Sequence, residues 1–326
     1  MKRIFVIAML LPLLLALLAL AAGSTPGAAF TAVFESALGS PYAIHSSTLV
    51  RWAPLALTGL AVALAFQAGV WNIGAEGQLL AGAAAAYWGA AVFGATGGLL
   101  TGAAAGAAWA ALAGVWMTRF GASVVIVTLM LNFVADLGVS LLVNGPLQEP
   151  TGIYPQTAPL DAAGMLLRLE GTRMHSGIPL TLLLVFAGWF LLYRTRRGFD
   201  LRLTGANPTA ARYAGGIDTS RVRFWTLLGS GALAGLAGAI ELTGVTGVLY
   251  ERFSPGYGFM AIAVAMAGAL HPLGVAAAAL FFAVLEAGAT GLQRDAGIPA
   301  VMTLVLEGAA VLLSLWAIRG KVQQTQ

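Results

Sequence analysis

The chain has 326 residues, of which 59% are hydrophobic and only 9% charged, and its mean hydropathy is +0.86. Soluble domains average about 45–50% apolar and about 25% charged residues, so this composition excludes an ordinary soluble domain and leaves an all-α polytopic membrane protein. There is no cysteine, and the three histidines are scattered at 45, 175 and 271, so no metal site is expected. The net charge of +4 and the pI of about 9.7 come from arginines in short segments between apolar runs. They read as topology and membrane-surface charge, with no nucleic acid as a partner.

A membrane-spanning helix needs roughly 20 apolar residues. In chain order the expected spans are 4–22, 51–70, 77–94, 98–117, 122–143, 177–193, 224–247, 258–270, 273–292 and 298–318. That is about ten, with eight or nine as the alternative counts, because His271-Pro272 breaks the eighth. The first segment also fits a cleavable signal peptide, with Lys2-Arg3 before an apolar core and Ala19-Leu20-Ala21 after it. A retained helix is the expectation here. Segment 194–223 holds seven arginines, and Arg119, Arg319, Lys321, Lys2 and Arg3 flank other spans. The positive-inside rule puts all of these, and both termini, in the cytoplasm, which ten spans satisfy. Segments 23–50 and 144–176 then face outward, the second as an ordered loop rich in proline.

Between the second and third spans lies Asn72-Ile73-Gly74-Ala75-Glu76-Gly77-Gln78, expected towards the cytoplasmic side. A carboxylate at membrane depth faces a cavity, a partner or a passing solute, and glycines there let a helix break. Asn72, Glu76 and Gln78 are therefore candidates for the solute pathway; helix capping or bracing of a neighbouring helix explains the same residues. The glycines at 98, 102, 106 and 114, with Ala110 between, put small residues on one helical face suited to close packing. Further polar groups within the expected spans are Asn132, Asp136, Glu241, Glu286 and Glu307.

In the basic loop, residues 207–216 have the punctuation of a short helix. Asn207 suits the cap, Pro208 the first position and Gly215-Gly216 the end. Exposed Arg212 and Tyr213 fit a protein-docking element or an amphipathic connector at the lipid surface.

The two halves of the chain, approximately 1–145 and 175–320, resemble each other within one transmembrane domain over 1–326. Arg119, Thr128 and Asn132 pair with Arg294, Thr303 and Glu307 at one constant offset, and Gly77 with Gly258. Five crossings between the pairs would make the repeats inverted, an architecture of transporters with the solute site at the repeat interface. The only lysines are Lys2 and Lys321, so no GxxxxGK[ST] phosphate loop exists and the chain has no such ATPase site of its own.

Taken together in order, several runs resemble the permease subunits of nucleoside ABC importers, within the wider group of ribose and branched-chain amino acid permeases. They are Asn72–Gln78, Met130-Leu131-Asn132, Arg197-Gly198-Phe199-Asp200, Gly205-Ala206-Asn207-Pro208, Ala210–Gly215, Ser230–Gly235, Gly256-Tyr257-Gly258-Phe259, Ala261–Ala265 and Pro272–Val275. Gly216 is an extra residue relative to the usual pattern of that loop. The resemblance implies transport of nucleosides by alternating access in a bacterial cytoplasmic (inner) membrane, with a simple sugar of the ribose type as the alternative solute. An ion-coupled secondary transporter is a third reading. The resemblance also implies a second, related permease chain, a cytoplasmic ABC ATPase and an extracytoplasmic substrate-binding lipoprotein; ATP is used by the ATPase, and this chain needs no cofactor. It makes Asn207, Pro208, Ala210, Ala211, Arg212, Tyr213 and Gly215 the coupling helix seated on the ATPase. Its pathway candidates are Asn72, Glu76, Gln78 and Asn132, with Tyr250, Tyr257 and Phe259 from the second half.

Overall fold

The computed structural model describes residues 2–322, with side chains described over 9–313 except at Ala214 and Glu307. The helices are α1 (Lys2–Ala21), α2 (Pro26–Ala37), α3 (Pro41–Ala43), α4 (Leu49–Gln67), α5 (Ala75–Phe120), α6 (Val124–Val143) and α7 (Gly177–Arg194). They continue with α8 (Arg196–Ala206), α9 (Pro208–Gly215), α10 (Thr219–Glu241), α11 (Tyr257–Ala267), α12 (Pro272–Asp295) and α13 (Ala300–Val322). π-Helical turns at Ile44–Thr48 and Leu242–Thr246 extend α4 backwards and α10 forwards. The protein is a multi-pass, all-helical membrane protein: among the described residues, 6 helices are long and apolar enough to cross a bilayer, or 7 if the bent pair of α1 and α2 is one span.

One of those helices is two arms. α5 is 46 residues long, but Gly94 has φ 73° and ψ −177°, and the chain reverses there. Across the reversal the Thr101 hydroxyl donates to the Ala85 carbonyl at 3.1 Å, and Gly89 faces Gly97 while Gly82 faces Gly102. The arms 75–93 and 95–120 are therefore antiparallel, and they coincide with the expected separate spans 77–94 and 98–117.

Both arms pack on α10 through glycine. A Cβ on Gly82 would collide with Gly235, one on Gly106 with the Gly231 carbonyl, and one on Gly235 with the Gly102 carbonyl. The backbones touch, so dispersion between main chains replaces side-chain interdigitation, as is usual where lipid offers no hydrophobic drive to association. α4 is the other central element; all fifteen residues from Val50 to Ala65 other than Arg51 are buried.

The two ends of the bundle differ. At the basic end, α8 lies under the end of α4, where Gly205 abuts Gln67 and Gly69, and α9 packs on α8. At the far end, segment 144–176 is tied down by backbone bonds from Thr157 to Leu249, Leu160 to Gly247 and Leu166 to Thr243. It also meets the Gly94 reversal through the Ala163 carbonyl. His175 closes this cover: it is 2% exposed and wedged between Gly177 and Gly244. Burial, with Arg168 and Arg173 nearby, pushes its pKa from 6.5 down to about 4.

Two outcomes are expected. Gly235→Val forces α5 and α10 apart and lowers stability by at least about 1–3 kcal/mol, read as a lower midpoint of thermal unfolding in detergent. The unfolded chain binds a proton at His175 near pH 6.5 that the folded chain refuses until about 4. Stability from this group is therefore intact above pH 6.5 and falls as pH drops towards 4. A His175→Phe variant should show a shallower loss over that window in the same measurement.

Candidate functional site

After α4 the chain does not leave the bundle. Gly69 (φ 71°) turns it back, and residues 70–74 rise in irregular form to the start of α5. The polar stretch consequently lies about halfway along its neighbours: it bonds Asn132, the ninth of the 20 residues of α6, and Ser230, the twelfth of the 23 of α10. The expected position towards one side is corrected to a level midway along α6 and α10, because the chain re-enters the bundle over 70–74 before α5 begins.

Every polar side chain of the stretch has a partner. The Asn72 amide donates to Gln78 Oε1 at 3.0 Å and Ser230 Oγ at 2.9 Å, and its oxygen accepts from the Gly74 N–H and from Gln78 Nε2. Ser230 passes the chain on to the Ala61 carbonyl at 2.7 Å. Asn132 accepts from the Gly77 N–H at 2.8 Å and donates to the Ile73 carbonyl at 2.9 Å. Asn72, Gln78 and Asn132 are 0%, 1% and 3% exposed. Burial at that level demands such completeness.

Glu76 makes the long-range bond. Its Oε2 accepts the Gly258 N–H at 2.6 Å. Gly258 is the second residue of α11, as Glu76 is of α5, so two helices meet here N-terminus to N-terminus. Each helix start presents N–H groups with no partner in its own helix and a partial positive charge. One carboxylate serves both. The neighbouring Tyr257 N–H is taken by Ser254 Oγ at 3.2 Å. Gly258 cannot be larger, because a Cβ there would strike the Glu76 backbone.

The other pathway candidates divide. Tyr257 is 4% exposed, Tyr250 is half-buried and stacks at 5.5 Å from Phe253, and Phe259 points outward at 46% exposure. Thus Tyr257 adjoins the junction, while Phe259 lies on the surface. Glu307, the expected repeat counterpart of Asn132, has a side chain outside the described residues. Ser254 was not singled out from sequence and Ser230 stood only at the head of a family-like run; serine is too common beside glycine to mark a contact 158 residues away.

A family model described as the branched-chain amino acid transport system permease component matches residues 44–315. The chain belongs to that permease family. A glucose ABC transporter permease of Haloferax volcanii is 36% identical, over 92% of this chain and 85% of the relative. A guanosine ABC transporter permease of Bacillus subtilis is 33% identical, over 95% and 94%. A nucleoside ABC transporter permease of Lactococcus lactis is 31% identical, over 92% and 86%. No solved structure matches the chain.

At the basic end of this permease, α9 forms as its punctuation requires. Asn207 Oδ1 accepts the Ala210 N–H at 2.9 Å, Pro208 opens the helix, and Gly216 ends it at φ 59°. Tyr213 is 89% exposed, whereas Ala211 is fully buried. Arg212 donates through Nε to Thr219 Oγ1 at 2.6 Å and so braces α9 against the start of α10. Beside α9 opens a cleft of about 750 Å³ lined by Arg196, Arg197, Gly215, Gly216, Asp218 and Arg221.

Glu76→Gln keeps the shape and an acceptor oxygen but removes the charge shared by two helix starts. The variant permease is expected to reach the membrane and assemble, with transport reduced at least about tenfold; a hydrogen bond to a charged group contributes about 1.5–3 kcal/mol. Solute uptake normalised to the amount of assembled permease checks this.

Proposed function

We propose that this permease is the membrane subunit of an ATP-driven importer for nucleosides, working by alternating access. The observation that carries the mechanism is the junction of α5 and α11 at mid-depth, a pair of discontinuous helices sharing one carboxylate. Such paired half-helices line solute pathways in transporters built from repeats. The guanosine and nucleoside permeases at 33% and 31% identity favour a nucleoside as solute. The 36% identity to a glucose permease favours a simple sugar as the second reading.

Several observations support two inverted repeats and about ten crossings. The first arm of α5 and α11 run in opposite directions from one junction, and each is followed by a longer pair: the second arm and α6, then α12 and α13. Counting both arms, the bent α1–α2 pair, the half-length α11 and α13 gives ten. The arginines of 194–223 favour the basic end as cytoplasmic, with both termini on that side of a bacterial inner membrane.

In this reading α9 is the coupling element. Tyr213 offers an exposed anchor to a cytoplasmic ATPase, and Arg212 carries its displacement into α10 through Thr219. α10 in turn holds Asn72 through Ser230, which links the docking helix to the junction by contiguous contacts. The covered far end would receive solute from a binding lipoprotein. Bacillus subtilis has a second guanosine permease related to this chain, which favours a heterodimer of two permeases.

The test is reconstitution with an ABC ATPase, a second permease and a binding lipoprotein from the same organism. ATP-dependent uptake of labelled guanosine or uridine in preference to glucose is expected. Uptake that needs no ATPase and follows an ion gradient would overturn the reading. Tyr213→Ala should weaken ATPase association, measured by co-purification, while leaving the thermal midpoint of the permease unchanged.

A further inference from the structure

We propose that the polar cavity at the far end of the bundle is a subsite for the polyhydroxylated ring of the solute, with Glu241 accepting its hydroxyls. The proposal rests on the importer reading above and adds to it a chemical class and a place. The cavity lies where α4, the end of α10 and the start of α11 converge beneath segment 144–176. Its volume is about 260 Å³, and Arg51, Arg173, Glu241, Tyr250, Arg252 and Tyr257 are among its walls. Sites for drug-sized ligands run from about 300 to 1,000 Å³. This one lies just below that range and has room for a small polar ring.

Glu241 is the last residue of α10 and is 9% exposed. Its Oε2 is fully buried and has no hydrogen-bond partner among the described residues. A buried acceptor left unpartnered is costly, and in a polar cavity it points to a ligand that donates. Donors stand ready as well. The Arg173 and Arg252 side chains make no hydrogen bond among the described residues, although both line the cavity. Arg51 differs: it is fixed by the Ser47 carbonyl, Ser47 Oγ and Thr290 Oγ1, each at 3.1 Å, and lies 3.9 Å from Glu286.

The mixture of charge selects the ligand. A cation would meet three guanidinium groups, and an anion would meet Glu241 and Glu286. A neutral molecule whose groups both donate and accept satisfies the two kinds of wall at once, and that is the chemistry of a hydroxyl. Adjacent hydroxyls donate to the Glu241 carboxylate while their oxygens accept from arginine, and the rings of Tyr250 and Tyr257 cover the C–H face. Nucleosides and simple sugars share such a ring. Position gives the subsite its meaning: Tyr257 in its wall precedes Gly258, the residue Glu76 holds, so a bound ring rests directly on the helix junction.

Because the chain has no cysteine, Val245→Cys puts a unique thiol in this chain at the cavity wall. The test follows its modification by a small maleimide in the assembled transporter. D-Ribose or uridine should slow labelling several-fold, 2′,3′-dideoxyuridine should not, and Glu241→Gln should abolish the protection without moving the thermal midpoint. Equal protection by the dideoxy compound, or protection that survives Glu241→Gln, overturns the proposal. The unmodified transporter gives a second measurement: KM for 2′,3′-dideoxyuridine should exceed that for uridine by about tenfold or more, since a site built to bond hydroxyls rejects the analogue lacking them. Equal KM values overturn the subsite and leave the importer standing. Hydroxyl-dependent protection without ATP-driven uptake supports the subsite and defeats the importer.

Discussion

The junction between α5 and α11 depends on one carboxylate. Two helices that start at mid-depth would, unaided, point two sets of unpaired N–H groups and two positive dipole ends at each other in a medium without water. Glu76 resolves this for both by belonging to one helix and bonding the other. The cost of holding a carboxylate there is offset because each helix start is a place where negative charge is favoured. Asn72, Gln78, Asn132 and Ser230 then complete the scaffold around it, so that the break in the helices does not leave orphaned groups.

This arrangement joins distant parts of the molecule. Ser230 lies on α10, the helix that begins beside Arg212 and ends at Glu241. One helix thus touches α9 at its start, the polar junction at its middle and the far cavity at its end. The glycine contacts between α10 and both arms of α5 mean that it cannot shift without carrying those arms. Packed backbones of this kind move as bodies, which is how a small displacement at one end reaches the other.

What could be read from sequence was what stood out against an apolar background. The 72–78 run and the arginine loop announced themselves by composition, and the cap residues Asn207, Pro208 and Gly216 gave α9 its limits. The division into expected spans 77–94 and 98–117 was legible because a mostly apolar run of that length is too long for one crossing. Partnership was not legible. Gly77 and Gly258 were related as equivalents in two repeats, and the sequence held no sign that Glu76, beside one, would bond the other 182 residues on. Nor did Glu241 stand apart from the other acids: its meaning comes from a cavity whose walls are drawn from five separate stretches. The depth of the site was misjudged for the same reason, since a return of the chain at Gly69 depends on Gly205 and the end of α4 packing behind it.

The reversal at Gly94 bears on how the chain enters its membrane. A straight helix of 46 residues would measure about 69 Å, more than twice the roughly 30 Å of hydrocarbon it meets. During synthesis both arms emerge as one apolar stretch with no polar break of its own to arrest insertion. Glycine at φ 73° is what allows that stretch to fold back on itself as a hairpin, with its arms already matched, before α10 is made. The two arms together present the glycine-lined surface on which α10 packs.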